Sequence, residues 1–204
     1  MVIFNGKGVC PAVAAGRISV FRRADIQVKR LKTDDTEAEL LRLEEAKKTA
    51  IRELGEIYEK AVKELGEANA DIFDIHMMML EDEDYNEAIA EVIKYQNVNA
   101  EYAVAVTADN FSHMFENMED AYMQARAADV RDISNRLIAK LSGNSGNGNI
   151  PDEKVIICAV DLAPSETVAF DKDKVLAFVT AYGSSNSHTA ILARSMNVPA
   201  VIGL

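Results

Sequence analysis

The sequence predicts a mixed α/β class with a separate all-helical block between its two ends. Three observations carry this. Short β-favouring runs set among glycine and proline occupy both ends of the chain, whereas residues 33–141 read as one helix after another. The run Ser142-Gly143-Asn144-Ser145-Gly146-Asn147-Gly148-Asn149 closes the helical block with the composition of a flexible linker. After Pro151, apolar strand-like runs alternate with short helical ones. These patterns define two structural characters but do not say how the two ends are joined.

Taken in order, residues 1–21 place Gly6, Gly8, Pro11 and Gly16 among β-favouring residues and end in Ile18-Ser19-Val20-Phe21, the punctuation of short strands and turns. Residues 22–32 are basic and irregular, a crossing between subdomains. Thr36 with Glu39 three positions on forms a capping box, preceded by Asp34 and Asp35. Leu43, Ala46, Ala50, Leu54, Ile57, Ala61 and Leu65 then recur at steps of three and four, one apolar stripe on a long helix that Gly66 is placed to end. Further helices are expected over 69–80, 84–96, 100–118 and 119–141. Val155 to Val160 is a continuous apolar run, as in a buried strand. Pro164 opens a short helix, and Val175–Val179 is a second strand. A helix begins at His188 and stops before Pro199, and Ala200-Val201-Ile202 is a last strand.

Length and composition narrow the function. The chain of 204 residues supports one large domain or two small ones, and 49% apolar with 27% charged residues is usual for a globular protein. A net charge of −11 argues against nonspecific nucleic-acid or anionic-membrane binding and fits a partner with a basic rim. Cys10 and Cys158 stand in expected strands and read as reduced packing residues. No secretory leader pattern opens the chain, and no apolar run approaches the roughly 20 residues of a bilayer span, so a cytoplasmic location is expected.

The chemistry concentrates in Gly183-Ser184-Ser185-Asn186-Ser187-His188-Thr189. A helix N-terminus offers unpaired N–H groups and partial positive charge, which suits a phosphate and favours a neutral imidazole able to attack phosphorus. Ser184, Ser185, Ser187 and Thr189 add hydroxyls, and Asn186 an amide. The competing reading is that His188 merely caps or packs a helix. There is no Gly-x-x-x-x-Gly-Lys loop, and Ser165 lacks the Gly-x-Ser-x-Gly setting of a hydrolase. His76 and His113 have no second ligand at metal spacing, and Glu81-Asp82-Glu83-Asp84 lacks the alternation of a calcium loop. Met77, Met78 and Met79 cannot all face one core, because successive helix positions turn by about 100°. At least one is expected at the surface, where methionine suits partner binding; an ordinary core stripe beside an acidic face is the alternative.

Ser187-His188-Thr189-Ala190-Ile191-Leu192-Ala193-Arg194 with Val198-Pro199-Ala200-Val201-Ile202-Gly203 resembles the phosphohistidine signature of the phosphoenolpyruvate-utilising enzymes. Asp161 to Thr167, Arg126 to Ile133 and the stretch from Ile72 to Glu83 resemble one group among them, enzyme I of the bacterial sugar phosphotransferase system. The resemblance runs over nearly the whole chain. It departs where the family usually shows glycine, arginine and threonine and this chain has Ser184, Ser185 and Asn186.

The resemblance implies a swivelling phosphohistidine α/β subdomain built from both chain ends, residues 1–21 and 144–204, with a helical hairpin bundle over 22–143 inserted between them. It implies that His188 takes a phosphoryl group from phosphoenolpyruvate and passes it to HPr, the small histidine phosphocarrier. Thr167 would orient the His188 ring, with Gly183, Ser187 and Thr189 in support. Arg194, six residues beyond His188, faces another side of the helix. Glu67, His76, Met78, Met79, Asp84, Tyr85 and Arg126 stand at positions that contact HPr, with Tyr85 in place of an aliphatic residue. No cofactor is expected in these residues. The phosphoenolpyruvate and Mg2+ sites belong to a carboxy-terminal barrel, so the chain reads as a truncated piece, monomeric by itself, of an enzyme that is a homodimer when intact. A sheet ending at Leu204 is expected to expose an unpaired edge. Two other readings stand beside this one. A domain of phosphoenolpyruvate synthase or pyruvate phosphate dikinase usually carries cysteine before the histidine and lacks the docking helices; a non-catalytic helical interaction module would make His188 structural.

Overall fold

The computed structural model describes residues 5–10, 12–22, 27–143, 153–171, 173–183 and 187–204. Two strands, β1 (Lys7–Cys10) and β2 (Arg17–Val20), precede five helices: α1 (Thr36–Leu65), α2 (Glu67–Glu81), α3 (Glu83–Gln96), α4 (Ala100–Glu116) and α5 (Ala121–Leu141). The chain then runs through β3 (Val155–Ala159), α6 (Pro164–Ala169), β4 (Val175–Thr180), α7 (His188–Ser195) and β5 (Ala200–Ile202). The mixed class with a helical insertion is what the sequence predicts, and the strands of both chain ends meet in one sheet.

That sheet has the order β1-β5-β4-β3-β2. β2 to β5 run parallel, and β1 pairs antiparallel with β5. Parallel neighbours require a crossover, and α6 and α7 supply it on either side of β4. The last strand is bonded on both sides, by β4 and β1, so the open edge expected at the end of the sequence is not there. Ile157, Phe178, Val175, Leu162, Ala193 and Val198 fill the core beneath the sheet. Phe170 joins them, edge-on to Phe21 at 5.4 Å and tilted against Phe178 at 6.0 Å. The two cysteines are half-buried free thiols in β1 and β3, and burial pushes the Cys158 thiol up.

By contacts the described chain divides into two compact units. One gathers Met1–Ala24, Glu56–Phe73 and Asn147–Leu204; the other gathers Asp25–Gly55 and Asp74–Gly146. The end of α1 and the start of α2 therefore pack with the sheet. Lys60 Nζ donates to the Val168 carbonyl near the end of α6 at 2.8 Å, and the Asn69 amide reaches Ser195 Oγ of α7 at 3.4 Å. In the second unit α4 packs chiefly along α5 and α3 against α4. Small residues on α4, among them Ala100, Ala103 and Ala108, are buried.

The helix ends explain the breaks. Gly66 takes φ +84° directly after α1, a left-handed conformation that glycine adopts without Cβ strain. The α4–α5 break falls at residues 117–120, where Asp120 Oδ1 accepts from the Tyr122 and Met123 N–H groups. Asp82 caps α3 by accepting from the Tyr85 N–H at 2.9 Å, so the acidic run is a helix start.

The start of α1 differs from the capping box read in the sequence. Asp35 Oδ1, not Thr36, accepts from the Ala38 N–H at 2.9 Å. Glu39 turns away from its own helix end and accepts from the Ala100 N–H, the first of α4, at 2.7 Å. Asn99, at the N-cap position of α4, makes no capping bond because its Oδ1 accepts instead from the Leu31 N–H. Arg42 joins Glu39 at 2.8 Å to Glu101 at 2.7 Å across the same junction. A carboxylate in one helix thus satisfies an orphan donor of another, which spacing within a single helix does not reveal.

Glu39→Ala should consequently cost about 1–2 kcal/mol, the size of a lost charged cap. Glu37→Ala, at an exposed position in the same turn, should cost almost nothing. Urea unfolding of both variants checks this, and equal losses would show that Glu39 acts only within α1.

Candidate phosphoryl-transfer site and docking face

Loops at the carboxyl ends of neighbouring parallel strands are where α/β sheets hold their chemistry. Here those loops follow β3 and β4. Past the strands the ladder continues, with the Ala181 N–H on Ala159 O at 3.1 Å and the Tyr182 N–H on Val160 O at 2.9 Å. Pro164 occupies the first turn of α6, where its missing N–H costs nothing, and the Glu166 carboxylate reaches back to the Ala163 N–H at 2.7 Å. Thr167 is fully buried and its hydroxyl donates to Ala163 O at 2.9 Å. Its proton is therefore committed, and only its lone pairs remain to accept.

On the β4 side, Gly183 has φ +130°, and a Cβ there would lie 3.3 Å from Ser187 Oγ and 3.5 Å from Ile202 Cβ. The two ends of the loop are thus in contact, which a side chain at 183 would disturb. Ser187 caps α7: its Oγ accepts from the Ala190 N–H at 3.4 Å and its carbonyl from the Ile191 N–H at 3.0 Å. Thr189, expected as a hydroxyl donor toward a ligand, is buried and donates to Leu162 O at 3.2 Å. It ties the start of α7 to the loop before α6. α7 opens at His188, with Ala190 and Ala193 buried and Arg194 exposed. Ser184, Ser185 and Asn186 lie outside the described residues.

The residues expected to dock a partner divide by exposure. Glu67 is exposed in the first turn of α2, in the part that packs with the sheet. In the other unit Met78 is 63% exposed while Met77 and Met79 are half-buried, as successive helix positions require. Asp84 is exposed in the first turn of α3.

His76 and Tyr85, expected at the contact surface, face inward instead. Phe73, His76 and Leu80 form the buried stripe of α2, and His76 has no exposed surface. Its Nε2 is 3.3 Å from Asp129 Oδ1, and its Nδ1 is 3.6 Å from Asp132 Oδ2. Tyr85, Ile89 and Ile93 form the buried stripe of α3. The Tyr85 hydroxyl lies 2.7 Å from Ser134 Oγ, and its ring stands edge-on to Phe111 at 5.6 Å. Neither side chain reaches the surface in this structure.

Arg126, half-buried on α5, donates through Nη1 to Asp129 Oδ2 at 3.0 Å and through Nη2 to the Tyr122 hydroxyl. Its guanidinium lies 4.5 Å from the centre of the Tyr122 ring. Among the described residues no three His, Cys, Asp or Glu side chains gather as a metal site. Among the same residues no helix is long and apolar enough to cross a membrane.

Residues 5–126 match the family described as PEP-utilising enzyme, N-terminal, and residues 151–204 match its mobile domain. The chain belongs to the PEP-utilising enzymes. Among curated relatives it is similar to the phosphoenolpyruvate-protein phosphotransferases of Enterococcus faecalis, 40% identical over 203 residues, and Lactococcus lactis, 42% identical over 203. That of Bacillus subtilis is 39% identical over 200 residues. Each match takes in 98% of this chain but 35% of the relative, so the chain corresponds to an N-terminal portion of enzyme I. A solution structure of an Enzyme I protein superposes with TM-score 0.80 at 33% identity, covering 99% of this chain and 83% of that one. The N-terminal domain of Enzyme 1 - Nitrogen follows at TM-score 0.68 and 25% identity, covering 97% and 82%.

Within this family member, sequence reasoning missed Asp129 and Tyr122. Tyr122, Arg126 and Asp129 recur at steps of four and three, which puts them on one face of α5. That spacing was the available signal.

Burial pushes the Tyr85 phenol up from 10.0 to about 12, with the Ser134 hydrogen bond working in the opposite direction. The fold therefore favours the neutral phenol. Its contribution to stability is complete below the unfolded value and is lost as pH rises through the folded one. Wild type should lose about 2–3 kcal/mol relative to Tyr85→Phe between pH 10 and 12. Below pH 10 the variant should be less stable by about 1 kcal/mol, the worth of one hydrogen bond. Denaturant midpoints across the two pH ranges test the sign.

Proposed function

We propose that this chain carries the phosphohistidine and partner-docking parts of a cytoplasmic phosphoenolpyruvate–protein phosphotransferase, with His188 as the phosphoryl carrier and HPr as the acceptor. The observation that carries the proposal is the position of His188 at the first residue of α7, directly after the Ser187 cap and downstream of β4. Residues 1–21 and 144–204 serve as the phosphohistidine subdomain and 22–143 as the docking subdomain.

In the forward direction a His188 ring nitrogen attacks phosphorus, the N–P bond forms, and the P–O bond to the enol of pyruvate breaks. A histidine of HPr then attacks the same phosphorus in line, and the His188 N–P bond breaks. Such transfers pass through a loose transition state, so the protein contributes position and charge stabilisation. Thr167 acts here as an acceptor: with its proton on Ala163 O, its oxygen holds a ring N–H of His188 and leaves the other nitrogen's lone pair for phosphorus. Phosphoenolpyruvate and Mg2+ are held by the portion of the relatives that this chain does not span. The relatives sharing both the helical and the mobile part are protein phosphotransferases, which favours this reading over the dikinase-like alternative.

Incubated with phosphorylated HPr, the folded chain should acquire one acid-labile phosphate, located by alkaline mass spectrometry on His188. Phosphoenolpyruvate and Mg2+ alone should leave it unlabelled. A His188→Ala variant that still takes up phosphate would assign the carrier elsewhere.

The docking half makes a separate prediction. Met79→Ala should weaken HPr binding by about 1–2 kcal/mol through faster release, as loss of an interface anchor does. Asp84→Lys should slow association instead, with the deficit shrinking as salt rises. Calorimetry and stopped-flow kinetics separate the two effects, and unchanged affinity in Met79→Ala would return the methionines to the core.

A further inference from the structure

The second unit holds a polar chain that the phosphoryl transfer does not use. It starts at His76 on α2, passes to Asp129 on α5 and ends at Arg126 and Tyr122 on the same helix. Both oxygens of Asp129 are engaged, Oδ1 by the buried imidazole and Oδ2 by the guanidinium. Tyr122 is 64% exposed, so the chain runs from a side chain with no exposed surface out to the solvent.

We infer that Asp129 is a positioning residue for partner docking: seated on His76, it fixes the Arg126 guanidinium, with Tyr122, as a preformed cationic contact at the docking face. The inference rests on the reading of this face as the HPr site. A free arginine samples many rotamers, and ordering it on binding costs affinity. Here two of its nitrogens are held before any partner arrives, one by a carboxylate that is 5% exposed and one by a phenol whose ring lies under the guanidinium. His76 supplies the other end of the brace. It sits on the same helix as Met78 and Met79, and so it ties the methionine-bearing α2 to the arginine-bearing α5. This gives His76, buried and out of a partner's reach, a part in docking.

A double-mutant cycle on the HPr dissociation constant tests this. Asp129→Asn should weaken binding roughly three- to tenfold in the wild-type background and not at all in the Arg126→Ala background. Equal weakening in both backgrounds would overturn the inference, because a merely structural aspartate acts without Arg126. Tyr122→Phe, which removes an exposed hydroxyl and keeps the ring, should give a smaller loss with the same dependence on Arg126, and it serves if Asp129→Asn fails to fold. The guanidinium protons of Arg126 give a reading that needs no partner. They should show slowed rotation by NMR in wild type and averaged signals in the Asp129 or Tyr122 variants; averaged signals in wild type would overturn the brace. Should wild type not bind HPr at all while Arg126 is held, the docking site is misassigned and its positioning role falls with it.

Discussion

One buried hydroxyl decides where the histidine stands. Thr189, directly after His188, donates to the carbonyl of Leu162 in the loop that leads into α6. A buried carbonyl needs a donor, and leaving this one without its partner would cost about 1–3 kcal/mol. The start of α7, where His188 stands, is thereby fixed against the loop that leads into α6. Small residues make the approach possible. Ala190 and Ala193 are buried on α7, and Gly183 lets the backbone come close to Ser187. The parallel sheet supplies the rest, since β3 and β4 must deliver both loops to the same edge.

The second unit solves a different problem, that of keeping polar groups inside a helical bundle. His76 occupies a core stripe between Phe73 and Leu80, where an unpaired imidazole would lose its hydration with nothing in return. Asp129 meets it from α5, and Tyr85 meets Ser134 further along that helix. Ser134 in turn donates to Val130 O at 2.6 Å. These contacts select one register of the helices, because sliding either helix by a turn leaves two buried polar groups unmatched.

Much of this was legible in the sequence. The long stripe from Leu43 to Ala61, the stop at Gly66, the strand at Val175 and the helix start at His188 all follow from local rules, and the structure keeps each of them. What local rules miss are the partners drawn from distant elements. Glu39 reads as half of a capping box and instead caps α4, because Asn99 is occupied by Leu31. Thr189 reads as a ligand donor and instead bonds Leu162. His76 and Tyr85 are expected at the partner face from the family resemblance, yet each falls on the apolar stripe of its helix. Spacing from Phe73 to Leu80, and from Tyr85 to Ile93, places both on the buried stripes, a signal within each helix that the resemblance does not carry.

Charge links the two halves of the molecule's task. On the docking reading proposed above, a net charge of −11 favours a basic partner, and an arginine at the contact would oppose that attraction if it stood alone. Asp129 removes the difficulty. Paired at 3.0 Å with an almost fully buried carboxylate, Arg126 adds little net positive field at a distance while keeping directed N–H groups at short range. On that reading, long-range attraction and short-range specificity fall to different residues, exposed carboxylates such as Asp84 for the first and the braced arginine for the second. The buried histidine belongs to this division, since its ring lies 3.3 Å from the other oxygen of Asp129 and helps to hold that carboxylate in the core. A residue with no exposed surface thus takes part in keeping the arginine's charge local.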